Sequence, residues 1–407
     1  MNRMRIALVL LLGSAWLGAA GPQELAAQPA PLGPEVLVST VDNHFLFSLR
    51  LAAQPGGDSE IVWESEGPDV ANQLVSARHL AADGTPTDAV QVIGQGFLPL
   101  IDSVTAEPTG FDVLWRDQRS RKDFHYRRHL GLNGIPDAKP VRLGGIQFIT
   151  PWVWQVRGNG FLAGWLLWRV GSQPTGMVAQ RLSSSGRLTG PLLSLASRPF
   201  YTNEQPRLLA VADGGFLATW CGISAVGFPV VPVVRARRFS PAAKALGPDF
   251  DLNTSFPAGE GCLGAKVATA PGGGFAVAWL LDGGNDETFT PYLRLFNAAG
   301  QPLGPEIQGA TTEWIESMAF DEAGNLLVLW GERKGFRVTD FELQLLDPHG
   351  LPLGPRESVG SAVSDPYQDS LEGAVAWSGS SWIVTWAAQT TAFPESSAIF
   401  VRRFASQ

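Results

Sequence analysis

Groups that do chemistry are scarce in this chain. Of its 407 residues only 17% are charged, five are histidine, four are tyrosine and two are cysteine. Thirty basic residues against 38 acidic ones leave a net charge of −8. That balance argues against a nucleic-acid binder, which needs a basic face for phosphates. Two thiols are too few to build a zinc or iron–sulfur centre. Gly-x-Gly-x-x-Gly, the P-loop, Gly-x-Ser-x-Gly and His-Glu-x-x-His are all missing, so no cofactor, metal site or catalytic residue is assigned from motifs. Beyond the N-terminal leader no apolar run reaches bilayer-spanning length.

The leader is the first feature that is present. Arg3 and Arg5 precede an apolar stretch from Ile6 to Leu12, and Gly18 and Ala20 are small. Residues 1–20 therefore read as a secretory signal peptide, residues 21–30 as a short linker, and residues 31–407 as one folded domain that is secreted or periplasmic. Export suits a disulfide. Cys221 and Cys262 fall at strand ends on the same rim of neighbouring repeats in the architecture derived below, so a bridge between them is expected, with two buried thiols as the alternative.

Tryptophan, by contrast, is abundant and regularly placed. Half of the 14 tryptophans are Trp63, Trp115, Trp165, Trp220, Trp279, Trp330 and Trp386, which recur every fifty to sixty residues or so. Each ends a five-residue strand unit that opens with Phe in four copies, at Phe111, Phe161, Phe216 and Phe275. In the fifth copy Phe275, Val277 and Trp279 line one face and Ala276 and Ala278 the other. Both faces are apolar, as in a strand covered on both sides.

A second signature follows each tryptophan. Arg78, Arg128, Arg237, Arg294 and Arg402 lie in strand-like segments that run into Gly/Pro turns such as Gly300-Gln301-Pro302-Leu303-Gly304-Pro305. Such turns close hairpins. With two further short strands per repeat, the unit is a blade of four antiparallel strands, and seven units predict an all-β, seven-bladed β-propeller. The last repeat stops after its third strand. The segment Pro31-Leu32-Gly33-Pro34-Glu35-Val36 parallels Pro302-Leu303-Gly304-Pro305-Glu306-Ile307, so the N-terminal strand is expected to complete the last blade and close the ring. Repetition makes the tryptophans and the recurrent arginine inter-blade packing groups.

The stretch Val62-Trp63-Glu64-Ser65-Glu66-Gly67, with Ala77-Arg78-His79-Leu80, Asp83-Gly84 and Phe250-Asp251-Leu252-Asn253, resembles a repeat of large secreted bacterial proteins. That resemblance implies export and a β-rich ring, and carries no catalytic residue to this chain.

Function in a repeat array concentrates where the repeat fails. The loops after the second and fourth strands share one rim and differ from blade to blade. They hold Tyr201, Asn203, Glu204, Phe256, Asp286, Tyr367, Gln368 and Asp369. Aromatics, amides and carboxylates of this kind suit a polar ligand such as a sugar. The opposite rim, built of short turns, is expected to be chemically plain. His79 and His129 sit at one repeat position and read as blade residues, while His44 and His125 have no neighbouring motif. The expected function is a binding or interaction module for a glycan or protein partner, with a lectin-like role or a polysaccharide hydrolase or lyase as alternatives.

Overall fold

The computed structural model describes residues 28–406, apart from segments 42–45, 66–71, 88, 120–121, 146–151, 157–159, 169–173, 184–186, 198–199, 202–205, 225–231, 255–260, 283–288, 335–337, 364–372 and 391–395. Among the described residues every regular element is a β-strand. The strands form seven antiparallel blades, covering residues 46–96, 99–145, 152–194, 200–251, 261–308, 313–363 and 373–405. We call the strands of a blade a to d from the axis outward. The a strands of successive blades stand side by side in a closed circuit, with Leu46–Ala53 of blade 1 against Gly373–Trp377 of blade 7.

The last blade is completed as the repeat count requires. Val36–Val41 pairs antiparallel with the C-terminal strand, Val36 facing Val401. The Leu32 amide donates to Arg403 O at 2.9 Å and the Ala405 amide to Ala30 O at 2.8 Å. Gln28 reaches further, to blade 6, where its Oε1 accepts from the Leu345 amide at 2.8 Å.

A four-stranded blade has two apolar faces, and neither is buried until a neighbour covers it. The buried apolar residues accordingly fall into seven clusters, one at each seam between adjacent blades. Trp63, Trp115, Trp220, Trp279, Trp330 and Trp386 each join the cluster shared with the preceding blade. The fit is close: a Cβ added to Gly94, on strand d of blade 1, would lie 2.6 Å from Cζ2 of Trp115 in blade 2. Only glycine leaves that slot open.

The recurrent arginine works in the same direction. Arg128 donates from Nη1 to Ile93 O of the preceding blade at 2.7 Å and from Nε to Ala138 O of its own turn at 3.0 Å. Arg237 repeats the clasp on Ser194 O and Gly247 O, at 3.0 and 2.8 Å. Arg294 repeats it on Leu252 O and Gly304 O, at 3.2 and 3.1 Å. Arg78 reaches Val38 O in the same way. Burial lowers the Arg128 guanidinium from its ordinary value, yet arginine stays protonated across the physiological range. These arginines are therefore cross-blade hydrogen-bond donors, as their repetition implied.

The cysteines form a disulfide between strand b of blade 4 and strand a of blade 5, with Cα atoms 5.6 Å apart. It spans 41 residues of sequence, and closing such a loop contributes about 2–4 kcal/mol. Titration of the unfolded, unreduced protein should find no free thiol, and reduction should lower its melting temperature. Deleting residues 31–40 should strip strand d from blade 7 and uncover a sheet edge. The expected result is a markedly lower melting temperature and aggregation during gel filtration; unchanged melting would refute the closure.

Candidate functional site

Strand b alternates between the two seams of its blade, so its even positions show what each blade presents to the next. At the second and sixth positions of the unit that ends in the repeat Trp at position five, blades 3 to 7 present Leu162 and Leu166, Leu217 and Cys221, Ala276 and Leu280, Leu327 and Gly331, and Ile383 and Ala387. Blades 1 and 2 instead present charge, Glu60 and Glu64 in one and Asp112 and Arg116 in the other. Among the described residues the apolar cluster between blades 2 and 3 comprises Leu114, Leu143, Val153, Phe161, Ala163 and Leu182. Polar groups occupy this seam above and below it.

The lower group lies by the short turns. Asp112 is buried, and both its oxygens accept from Arg127 Nη2, at 2.8 and 2.7 Å. His129 Nδ1 lies 2.9 Å from Asp112 Oδ1. Gln155 crosses from blade 3, its Nε2 donating to Asp112 Oδ2 and to Glu107 Oε1, both at 2.8 Å. The Arg127 guanidinium also lies over the Phe161 ring, 5.4 Å from its centroid. Charge-assisted bonds of this kind hold geometry. Blade 1 has a simpler counterpart: His79 Nδ1 sits 3.2 Å from Glu60 Oε2. Gly134 of the next blade caps that pair at φ +73°, where a Cβ would lie 2.5 Å from His79 Cβ. His79 and His129 therefore serve separate seams and do not converge on one site. The lower rim is also less plain than its turn sequences suggest.

The upper group lies by the irregular rim, where the a strands begin. Asp102 occupies a bulge in Pro99–Glu107, where the pairing register skips between Ile101 and Ser103. Bulges re-aim side chains. Asp102 Oδ2 is 3.4 Å from His125 Nδ1, and its Oδ1 is 3.7 Å from Arg116 Nε. Arg116 and His125 are directly paired across strands b and c. The side chain of His125 is 1% exposed, Arg116 12% and Asp102 16%. Asp102 Oδ2, Ser103 Oγ, Arg116 Nε and both ring nitrogens of His125 are buried without a hydrogen bond. Unsatisfied buried polar atoms are rare, and a cluster of them marks a place for water or a ligand. By contrast, Glu64 at the equivalent height of the previous seam accepts from Ser48 Oγ at 2.9 Å and from the Ile101 amide. It is a structural tie.

Of the rim residues expected from sequence, Tyr201 lies in the short strand Phe200–Tyr201, paired with Ile223 at the upper end of blade 4. Asn203, Glu204, Phe256, Asp286, Tyr367, Gln368 and Asp369 lie outside the described residues. Asp102, Arg116 and His125 were not singled out as a group. Aligning the seven Trp units and reading the residue after each Trp would have flagged Arg116 as unlike Leu166, Cys221 and Ala387. No group of three or more His, Cys, Asp or Glu suited to a metal ion occurs among the described residues.

The lower group should behave as a structural keystone. Asp112→Asn is expected to reduce unfolding free energy by about 3 kcal/mol in denaturant, the low end for a broken buried pair, since Arg127 keeps a third of its side chain in water (33% exposed). A loss below 1 kcal/mol, or about that, would mean the pair is no more than a surface bridge.

No known family model matches this chain, and no curated protein matches it. Solved structures do resemble it. An ulvan lyase of polysaccharide lyase family PL25, solved bound to -[GlcA(1-4)Rha3S]-, aligns at a TM-score of 0.50 and 8% identity, over 87% of this chain and 93% of its own. An α-L-arabinanase of Penicillium chrysogenum aligns at 0.41 and 11%, over 92% and 98%. A GH93 α-L-arabinofuranosidase of Fusarium graminearum aligns at 0.44 and 10%, over 91% and 98%. At such identities the likeness concerns the fold alone, and in fold this chain is a seven-bladed β-propeller.

Proposed function

We propose that this chain is an exported carbohydrate-binding propeller that takes its ligand on the irregular rim. The observation that carries the reading is the upper group of blade 2. It places hydrogen-bonding atoms without partners beside the a strand, at the rim where several blades approach one another. Sugars offer hydroxyls that both donate and accept, which is what a carboxylate, a guanidinium, an imidazole and a hydroxyl together complement. The rim loops add Tyr201, Asn203, Glu204, Phe256, Asp286, Tyr367, Gln368 and Asp369, aromatic shelves and polar groups of the kind such ligands use. Export is supported by the leader-like residues 1–20 and by the disulfide. No described helix is long and apolar enough to cross a membrane. The likeness of the repeat to those of secreted bacterial proteins points the same way.

Cleavage of the bound glycan is the second reading. It is favoured by one observation, the carboxylate–imidazole contact of Asp102 with His125, since such pairs transfer protons. The propeller lyase that aligns with this chain acts on a polysaccharide, which agrees with a carbohydrate ligand without assigning a reaction.

The test is a glycan array with the mature protein, coupled to an assay for released reducing ends and unsaturated products. Binding without release is expected. Tyr201→Ala and Tyr367→Ala should each weaken binding about 10-fold or more, as truncated aromatic anchors do, with the melting temperature unchanged. Product release that disappears in His125→Gln would replace the binding role with an enzymatic one.

A further inference from the structure

We infer that the upper end of the seam between blades 2 and 3 is a subsite for a neutral sugar unit, held through its hydroxyls by Asp102, Ser103 and Arg116. The inference rests on the carbohydrate-binding reading and specifies where on the rim the ligand sits and which glycans qualify.

Three observations converge. The first is a contrast between seams. At the equivalent height, the seam between blades 1 and 2 is tied by Glu64 to the Ile101 amide, and the seam between blades 4 and 5 by the disulfide. Between blades 2 and 3 that position belongs to Arg116, a group with donors only, so it cannot take up the amide of a neighbouring strand. The second is the residue at the strand-a bulge: blades 1, 2 and 6 skip register at the same place, and in blade 2 the skipped residue is Asp102, whose carboxylate stands beside Arg116 and His125. The third is polar dissatisfaction: Asp102 Oδ2, Ser103 Oγ and Arg116 Nε are buried without a hydrogen bond, and His125 Nδ1 stands 3.4 Å from Asp102 Oδ2 without bonding it. Leaving such groups buried and unpaired is costly, a cost that a ligand or water supplying the missing bonds removes.

Burial orders the roles. Asp102 and Arg116 keep 16% and 12% of their side-chain surface, whereas His125 keeps 1%. Ligand contact therefore falls to Asp102, Arg116 and Ser103 beside them. His125 lies behind Asp102 and acts as a positioning residue, its Nδ1 facing the carboxylate.

Charge selects the ligand. Asp102 and Arg116 offset each other, so the group has no surplus positive charge to recruit a carboxylate or sulfate. The chain as a whole carries −8 and repels polyanions. A hydroxyl fits: it donates to Asp102 while accepting from Arg116 or Ser103. A vicinal pair does both at once.

The experiment is a glycan array of neutral and acidic oligosaccharides on the mature chain, followed by calorimetric titration of the best neutral binder into variants. Asp102→Asn and Arg116→Gln are expected to weaken binding about 10- to 100-fold, the range for a lost charge-assisted hydrogen bond, with melting temperatures unchanged. His125→Leu should lose binding similarly, and His125→Asn, which keeps a donor at the Nδ1 position, should retain it. Glu64→Gln, a structural tie in the adjacent seam, should lower the melting temperature and leave affinity alone. Unchanged affinity in Asp102→Asn and Arg116→Gln would show that the group holds only water, overturning the subsite while rim binding stands. Recognition of acidic glycans only would overturn the neutral assignment. An array with no glycan bound would overturn the carbohydrate reading and this subsite with it.

Discussion

The structure depends on a geometrical constraint: a blade with two apolar faces is stable only when both are covered. Every other regularity follows. Seven buried clusters lie at seven seams, and each is closed by a tryptophan or its neighbours reaching toward the preceding blade. Truncating one such buried aromatic typically costs 3–5 kcal/mol or so, a large share of any protein's net stability. The clasping arginines add hydrogen bonds to carbonyls that would otherwise end a sheet edge unpaired. Packing and edge satisfaction are thus solved together, by residues two positions apart on the repeat, such as Arg294 and Phe296, whose guanidinium and ring lie 5.8 Å apart.

Uniform seams make the exceptions informative. The residue after the repeat tryptophan meets strand a of the next blade, and the protein uses that position in chemically distinct ways. Glu64 hydrogen-bonds across the seam, Cys221 bonds covalently, Leu166 packs, and Arg116 faces a carboxylate and an imidazole. Among the described residues, the last arrangement gathers several buried atoms without a hydrogen bond in one place. Within the same seam, the lower group around Asp112 receives bonds from Arg127, His129 and Gln155. One seam therefore carries a rigid polar anchor at one end and an open polar group at the other, so the open group is held on a firm base.

How much of this was legible in the sequence depended on whether the residue repeats. Tryptophan spacing and the turn composition were sufficient for blade number, strand order and the completing N-terminal strand, because periodic burial is imposed by the architecture itself. The cysteine pairing was legible for the same reason: strand ends on one rim of adjacent blades are close in any such ring. Asp102 and His125 were not, since they are far apart in the repeat and belong to no short motif. What joins them is the strand-a bulge, whose only trace in the sequence is the faint apolar-x-Ser pattern of Leu46-x-Ser48, Ile101-x-Ser103 and Ile315-x-Ser317. His129 was readable as a blade residue, but its tie to Asp112 and to Gln155 of the next blade required three-dimensional register.

The pairing of Val36 with Val401 bears on the order of events as the chain folds. Each later blade can dock on one already made, since tryptophan and arginine both point back to the preceding blade. Blade 1 lacks that option: Arg78 binds Val38 O, on a strand that has no sheet to join until the C-terminal strand arrives. Synthesis at some 5–20 residues per second therefore leaves the first strand and the first seam waiting for tens of seconds while the other blades assemble. Ring closure joins the residues farthest apart in sequence, and long-range pairings of that kind are slow to form. Until then the chain is an open arc whose two ends, blade 1 and blade 7, are its most association-prone surfaces.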